Sequence, residues 1–329
     1  MSDKRAKPNE VGRRQFLGGL TGGLIGLAAG SMAPLGGCGG GHTNNMPAAG
    51  CAPQGSLPAA LTTCRSWITF SPPRPFDPNT NIYPTQVELQ GALTRLYNEG
   101  WRGLVTYSLD GTLSAVPQIA KQIGFTMVIA GLFWFDAAQL ARERTAALAQ
   151  VAYIDGFVLG NEGLSSGRYT RQQLEEQIAS LRADTGRPIT TSEPLNQYSD
   201  PTLLSVGDWA FPNIHPWNQG IRSVSEAVGF VQSQYHTLQS VAPGRSIIIK
   251  ESWWPTGGGD PAATEANQSA FFRQLAATDV KVVFGEAYDQ FWKTTEAALG
   301  PYWGWHTDMG EAKRVVADLH ATYTAPYGP

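Results

Sequence analysis

Ser246-Ile-Ile-Ile-Lys-Glu251 is a short apolar run that stops abruptly on a glutamate, with Ser252-Trp-Trp-Pro255 directly behind it. A strand buried on both faces of a parallel sheet reads as such a run. Gly156-Phe-Val-Leu-Gly-Asn-Glu162 has the same form. Six further runs resemble these two: 67–71, 103–108, 126–133, 188–193, 208–215 and 280–288. Segments of helical period lie between them. Leu89, Leu93 and Leu96 mark 86–98, and Leu140, Ala147, Leu148 and Val151 mark 137–151. Leu174, Ile178 and Leu181 mark 171–183, and Val228, Val231 and Tyr235 mark 224–238. Phe271, Phe272 and Leu275 mark 267–277, and a last helix is expected over about 310–322.

Eightfold strand–helix alternation predicts an α/β fold, a single (β/α)8 TIM barrel. An open doubly wound sheet would bring a glycine-rich turn after its first strand. Ser71-Pro-Pro-Arg-Pro-Phe-Asp-Pro78 has no glycine, which argues against nucleotide binding. Residues 63–329 are the expected barrel domain, close to the typical size of about 250 residues.

The remaining residues read as an address and a tether. Lys4, Arg5, Lys7, Arg13 and Arg14 precede a Gly-rich apolar stretch from Phe16 to Leu35. Residues 1–37 therefore read as an export signal. Arg13-Arg-Gln-Phe-Leu17 resembles a twin-arginine signal, with Gly12 and Gly18 in place of its usual flanking residues. Leu35-Gly-Gly-Cys38 resembles a lipobox, which makes Cys38 the lipidated mature N-terminus. Residues 38–62, rich in Gly, Pro, Asn, Ala and Ser, read as a flexible tether. A protein exported by a bacterial cell and held to the membrane by lipid follows as the expectation. Cys51 and Cys64 are then left as a disulfide pair for an oxidising compartment.

Removing the five basic and two acidic residues of the leader takes the formal net charge from −3 to −6. That balance gives no support to nucleic-acid binding. No Cys-x-x-Cys or His-x-x-x-His spacing supports a metal, and no cofactor is expected. A monomer is expected. The 10 Trp, 11 Tyr and 13 Phe stand against only 16% charged residues, and many of these rings follow strand ends. Flat rings stack on the C–H faces of sugars, so this placement points to a carbohydrate cleft.

On this count Glu162 ends strand four and Glu251 ends strand seven, on opposite sides of the barrel mouth where such folds build their sites. A glutamate there is otherwise merely the first solvated residue after a strand. Two facing carboxylates instead suggest the acid/base pair of glycoside hydrolysis.

Gly160-Asn-Glu162, Thr190-Thr-Ser-Glu-Pro194, Asn213-Ile-His-Pro216, Lys250-Glu-Ser-Trp-Trp-Pro-Thr-Gly257 and Glu286-Ala-Tyr-Asp-Gln-Phe-Trp-Lys293 together resemble glycoside hydrolase family 17, in its bacterial type, over about 67–306. That family comprises β-1,3-glucanases and related glucanosyltransferases. The resemblance implies that Glu162 is the general acid/base, Glu251 the nucleophile, and Asn161 a partner of the substrate's 2-hydroxyl. It implies substrate-contacting roles for Tyr107, Glu193, Asn213, His215, Trp217, Trp254, Glu286 and Lys293. Glu296 matches another acidic position but reads equally as helix surface. Departures are Val105 where an arginine is common, Trp253 for a glycine, and Gln290 for an acidic residue.

The expected activity is a retaining β-glycosidase on β-1,3-glucan oligo- or polysaccharide, by hydrolysis, transglycosylation or both. The alternatives are a non-catalytic carbohydrate-binding surface lipoprotein and a related barrel glycosidase for another β-glucan or mannan.

Overall fold

The computed structural model describes residues 57, 61, 63–295 and 298–322. The expected export signal, Cys38, most of the tether, Cys51 and Glu296 lie outside the described residues, so the pairing of Cys51 with Cys64 does too.

Five strands pair in parallel and in chain order: β1 Trp67–Phe70, β2 Gly103–Thr106, β3 Met127–Leu132, β4 Gly156–Asn161 and β5 Ile189–Ser192. The segments 208–215, 246–251 and 280–288 complete the circle through isolated parallel bridges. Asn213 meets Pro194 and Glu251, Ala210 meets Ile247, Ile249 meets Val282, and Phe284 returns to Ile68 of β1. The backbone bonds agree: Lys250 N–H donates to the Pro212 carbonyl at 2.9 Å, and Phe284 N–H donates to that of Trp67 at 3.0 Å. The result is a closed (β/α)8 barrel. Its sixth segment is interrupted because Pro212 has no N–H for the ladder.

Among the described residues, helices follow seven of the eight strands. They are Gln86–Glu99, Val116–Ile123, Ala137–Gln150, Arg171–Thr185, Val224–Val241, Glu265–Ala276 and Arg314–Thr322. Thr85 with Glu88, and Thr170 with Gln173, form reciprocal caps at two of the starts. The sequence reading differs in three places. Val116–Ile123 is a helix it did not identify, at eight residues only about two turns long. The last helix starts at Arg314 rather than near 310. After β5 there are only the tight turns Leu195–Ser199 and Pro201–Ser205. Pro194 and Pro201 bracket that stretch, leaving no room for a regular helix.

Strand parity sorts the core. Trp67, Val105, Met127, Ile129, Val158, Trp209, Phe211, Ile248 and Val283 fill the barrel, joined from below by Leu61. Leu61 stands on the tether side of the expected boundary, yet it is buried. Alternate residues such as Ile68, Leu104, Val128, Phe157 and Ile249 face the helix layer. Two residues further along each strand, the interior positions become polar or small: Thr69, Tyr107, Gly131, Asn213, Lys250 and Gly285. Period two therefore turns an apolar plug into a polar mouth.

Candidate active site

The turn after β4 is built around a tyrosine. Gly160 and Glu162 both take left-handed backbone, at φ 73° and 55°. Tyr169 folds back against this turn, so a Cβ at Gly160 would lie 2.2 Å from its hydroxyl oxygen and one at Gly163 1.8 Å from its ring. The Tyr169 hydroxyl donates to Glu193 Oε1 at 2.7 Å, and the Gly163 and Leu164 N–H groups donate to the same oxygen at 3.1 Å. Glu193 is fully buried, and burial pushes its carboxyl up to about 7. The structure thus corrects the expected substrate contact of Glu193. It is saturated by protein donors and anchors the loop that carries Glu162.

A register shift in β4 between Val158 and Asn161 brings Asn161 and Glu162 together to the mouth. Glu162 Oε1 accepts from Asn213 Nδ2 at 2.8 Å, and Asn213 Oδ1 accepts from Ser192 Oγ at 2.8 Å. A left-handed, non-glycine residue costs on the order of 1–2 kcal/mol, and such strain clusters at functional sites.

Across the mouth, Glu251 is buried and fully bonded. Tyr107 donates its hydroxyl to Oε1 at 2.9 Å, Lys250 Nζ lies 2.7 Å from the same oxygen, and His215 Nε2 lies 3.3 Å from Oε2. Lys250 is wholly buried. Its ammonium also donates to Asn161 Oδ1 at 2.6 Å and sits 4.2 Å above the Tyr107 ring. Sequence reasoning quoted Lys250 but assigned it nothing. The signal was available: Ile248 faces inward, so the residue two further on does too.

The two carboxyls are driven apart. Burial raises the Glu162 carboxyl and the Glu251 charge raises it further, against weaker opposing pulls from His215, Asn213 and Lys250. Burial alone would raise Glu251 as well, but Lys250 and His215 overcome it and hold that carboxyl well below the usual range. The two environments push in opposite senses, the direction in which the tasks of general acid and nucleophile divide. One atom each of Glu162, His215 and Glu251 lies within 4.8 Å of the others. These three are the candidate cation ligands among the described residues. The Lys250 ammonium, 2.7 Å from Glu251 Oε1, already offsets part of the negative charge that would draw such an ion.

A stability test follows from the Glu162 environment. A carboxyl raised in the folded state contributes its stability below its unfolded pKa, and that stability is lost as pH rises through the folded pKa. Each pH unit of upward displacement costs about 1.4 kcal/mol once the group ionises. Glu162→Gln should therefore match wild type near pH 4 and become the more stable protein toward pH 8. Urea unfolding at both pH values measures it. A variant less stable than wild type at pH 8 would contradict the assigned environment.

The other expected contacts divide. Glu286 is fully buried, with Lys293 Nζ 3.0 and 2.9 Å from its two oxygens. Burial pushes the Glu286 carboxyl up against the opposing pull of Lys293. Trp217 and Trp254 do not present a sugar platform. Both are buried and pack edge-to-face at 5.0 Å, with Arg222 over Trp217 and Trp254 Nε1 donating to the Ala262 carbonyl. They brace the loops behind the site, which corrects their expected role. The rings that wall the His215 side are Trp253 and Trp303, at 5.6 and 6.1 Å from its imidazole.

The model of the BtgE/BtgC glycoside hydrolase domain matches residues 68–304. The chain belongs to that family. The probable beta-glucosidase btgE of Aspergillus terreus is 26% identical over 277 residues, covering 79% of this chain and 49% of that protein. Its counterpart in Aspergillus fumigatus is 28% identical over 226 residues, covering 64% and 40%. The chain thus spans half or less of the length of these curated relatives. They are fungal, and do not bear on the bacterial type expected from the motifs. Among solved structures, the glycoside hydrolase family 17 β-1,3-glucanosyltransferase of Rhizomucor miehei superposes with a TM-score of 0.62 at 19% identity, over 75% of this chain and 95% of that one. A GH5_18 protein of Streptomyces cattleya in complex with Manb1-4GlcNAc gives 0.57 at 15% identity, over 74% and 76%. At such identities the likeness is one of fold.

Proposed function

We propose that this chain is a retaining β-glycosidase of the family 17 type, acting on β-1,3-glucan. The observation that carries this reading is the facing pair itself, with one oxygen of each carboxyl within 4.8 Å of the other, burial and the Glu251 charge pushing Glu162 up and Lys250 and His215 pulling Glu251 down. Retaining enzymes set their carboxyls about 5–5.5 Å apart, whereas inverting ones leave about 6.5–9.5 Å for a water. The Rhizomucor miehei protein, one of whose structures is a complex with laminaritriose, supports the choice of glucan.

In the first step a Glu251 oxygen attacks the anomeric carbon while Glu162 gives its proton to the departing glycosidic oxygen. The sugar is left as an ester on Glu251. In the second step the Glu162 carboxylate takes a proton from water or from a sugar hydroxyl. That oxygen then displaces Glu251 and restores both groups. Asn161, whose Oδ1 accepts from Lys250, would bond the 2-hydroxyl of the reacting sugar through its amide N–H. Hydrolysis and transfer share this path and differ only in the acceptor.

The stereochemical outcome tests the proposal. Proton NMR of a laminari-oligosaccharide digest, read before mutarotation, should show the β-anomer first. Initial release of the α-anomer would mean inversion and overturn it.

A further inference from the structure

Glu143 is a buried carboxylate that this chemistry does not use. It lies in the helix Ala137–Gln150 and is completely shielded from solvent. Its oxygens accept from Ser108 Oγ at 2.5 Å and from the N–H groups of Leu109 at 3.2 Å and Trp134 at 3.1 Å. One carboxylate thus pins the loop after β2 to the loop after β3. Burying an acid costs free energy that these three bonds offset, so both loops are held in place.

Between these two loops and the loop after β1 lies a cavity of about 250 Å³, whose lining includes Tyr83, Ser108, Asp110, Trp134, Gln139 and Arg142. Asp110 Oδ2 accepts from the Tyr83 hydroxyl at 3.2 Å, and Asp110 Oδ1 lies 3.5 Å from Arg142 Nε. Trp134 is half-buried, set edge-on against Phe133 at 5.2 Å. The cavity lies at the same end of the barrel as Glu251, because the loops that line it follow the C-terminal ends of β1, β2 and β3.

The lining selects the ligand class. The opposite charges of Asp110 and Arg142 remove any preference for an ion. The polar groups disfavour a purely apolar guest. Convergent donors and acceptors beside an indole are what a pyranose ring matches, its hydroxyls in the ring plane and its C–H face on the aromatic. The volume falls just below the range of about 300–1,000 Å³ for drug-sized ligands, which suits a single ring.

We propose that this cavity binds one sugar residue of an extended glycan, away from the bond being cleaved, with Trp134 against the ring face and Asp110 and Arg142 on its hydroxyls. The proposal rests on the glycosidase reading for how the glycan reaches the cavity. It makes chain length, rather than the reacting sugar alone, a determinant of turnover.

The experiment compares wild type, Trp134→Ala and Arg142→Ala on laminari-oligosaccharides of increasing length and on an aryl β-glucoside. The Arg142 side chain is 55% exposed, so its removal leaves the fold intact. Wild-type kcat/KM should rise at one chain length. From that length onward Trp134→Ala should lose about 2- to 13-fold, as an aromatic contact of about 0.5–1.5 kcal/mol implies, and Arg142→Ala should lose a similar factor for a hydrogen bond of about 0.5–1.5 kcal/mol. The aryl glucoside should be turned over as before. Variants equal to wild type at every length, or equally impaired on the aryl glucoside, overturn the proposal. Calorimetric binding of the same oligosaccharides to Glu251→Gln separates the two readings. Trp134-dependent binding without turnover by wild type would uphold the cavity and sink the glycosidase. Turnover that ignores chain length would do the reverse.

Discussion

Glu251→Ala should abolish turnover, by four orders of magnitude or more, on natural glucans and on aryl glycosides with good leaving groups alike. On the proposed path it removes the atom that forms the covalent bond, and the groups bonded to it, Tyr107, Lys250 and His215, are donors that cannot take its place. Glu162→Ala should fail differently. It removes proton transfer, typically worth roughly 10²- to 10⁴-fold. A leaving group that departs as a stable anion needs no proton, so the first step should largely survive on an activated aryl glycoside. The second step then lacks its base. Added azide needs no deprotonation and should speed turnover, releasing a β-glycosyl azide. Kinetics with and without azide, and the configuration of the adduct, measure this. Azide rescue of Glu251→Ala as an α-adduct is the expected mirror image. Exchange of the two patterns between the variants would reverse the assigned roles.

The placement of these two glutamates was legible in the sequence because it depends on strand ends. An apolar run that stops at a carboxylate is visible one-dimensionally, and in a closed parallel barrel such residues converge. What stayed hidden depends on which way a side chain leans. Glu193 ends β5 much as Glu162 ends β4, but the Tyr169 hydroxyl and two backbone N–H groups turn it into the protein. Trp217 and Trp254 follow strand ends as a sugar platform would. Trp217 and Trp254, 37 residues apart, pack edge-to-face against each other, a contact no sequence period reveals, and Arg222 covers the Trp217 ring. Val116–Ile123 escaped notice because eight residues barely span two turns. Lys250 escaped for a different reason. A lysine inside a barrel contradicts the usual partition of residues, and only its neighbours make it tolerable.

Lys250→Met should reshape the pH dependence of catalysis rather than merely lower it. Glu251 has Glu162 and Glu286 as its acidic neighbours, and Lys250, His215 and the more distant Lys293 as its basic ones. Of these bases Lys250 makes the shortest contact and is itself wholly buried. Without that ammonium, burial and the nearby carboxyl would raise Glu251, and the two acids would share a proton as a coupled pair. Part of the population would then carry the proton on the nucleophile, where it blocks attack. The acid limb of kcat/KM should move up by at least one pH unit, with turnover at pH 5 falling by about 10²-fold and recovering partly toward pH 7.

Stability gives an independent reading. In wild type the lowered Glu251 carboxyl contributes stability above its unfolded pKa, and this is lost as pH falls through the folded value. In the variant the sign reverses: an unpaired buried carboxylate costs about 3–5 kcal/mol, so stability should fall as pH rises through its raised pKa. A variant whose acid limb and stability–pH slope both coincide with wild type would show that Lys250 neither ionises nor holds the nucleophile.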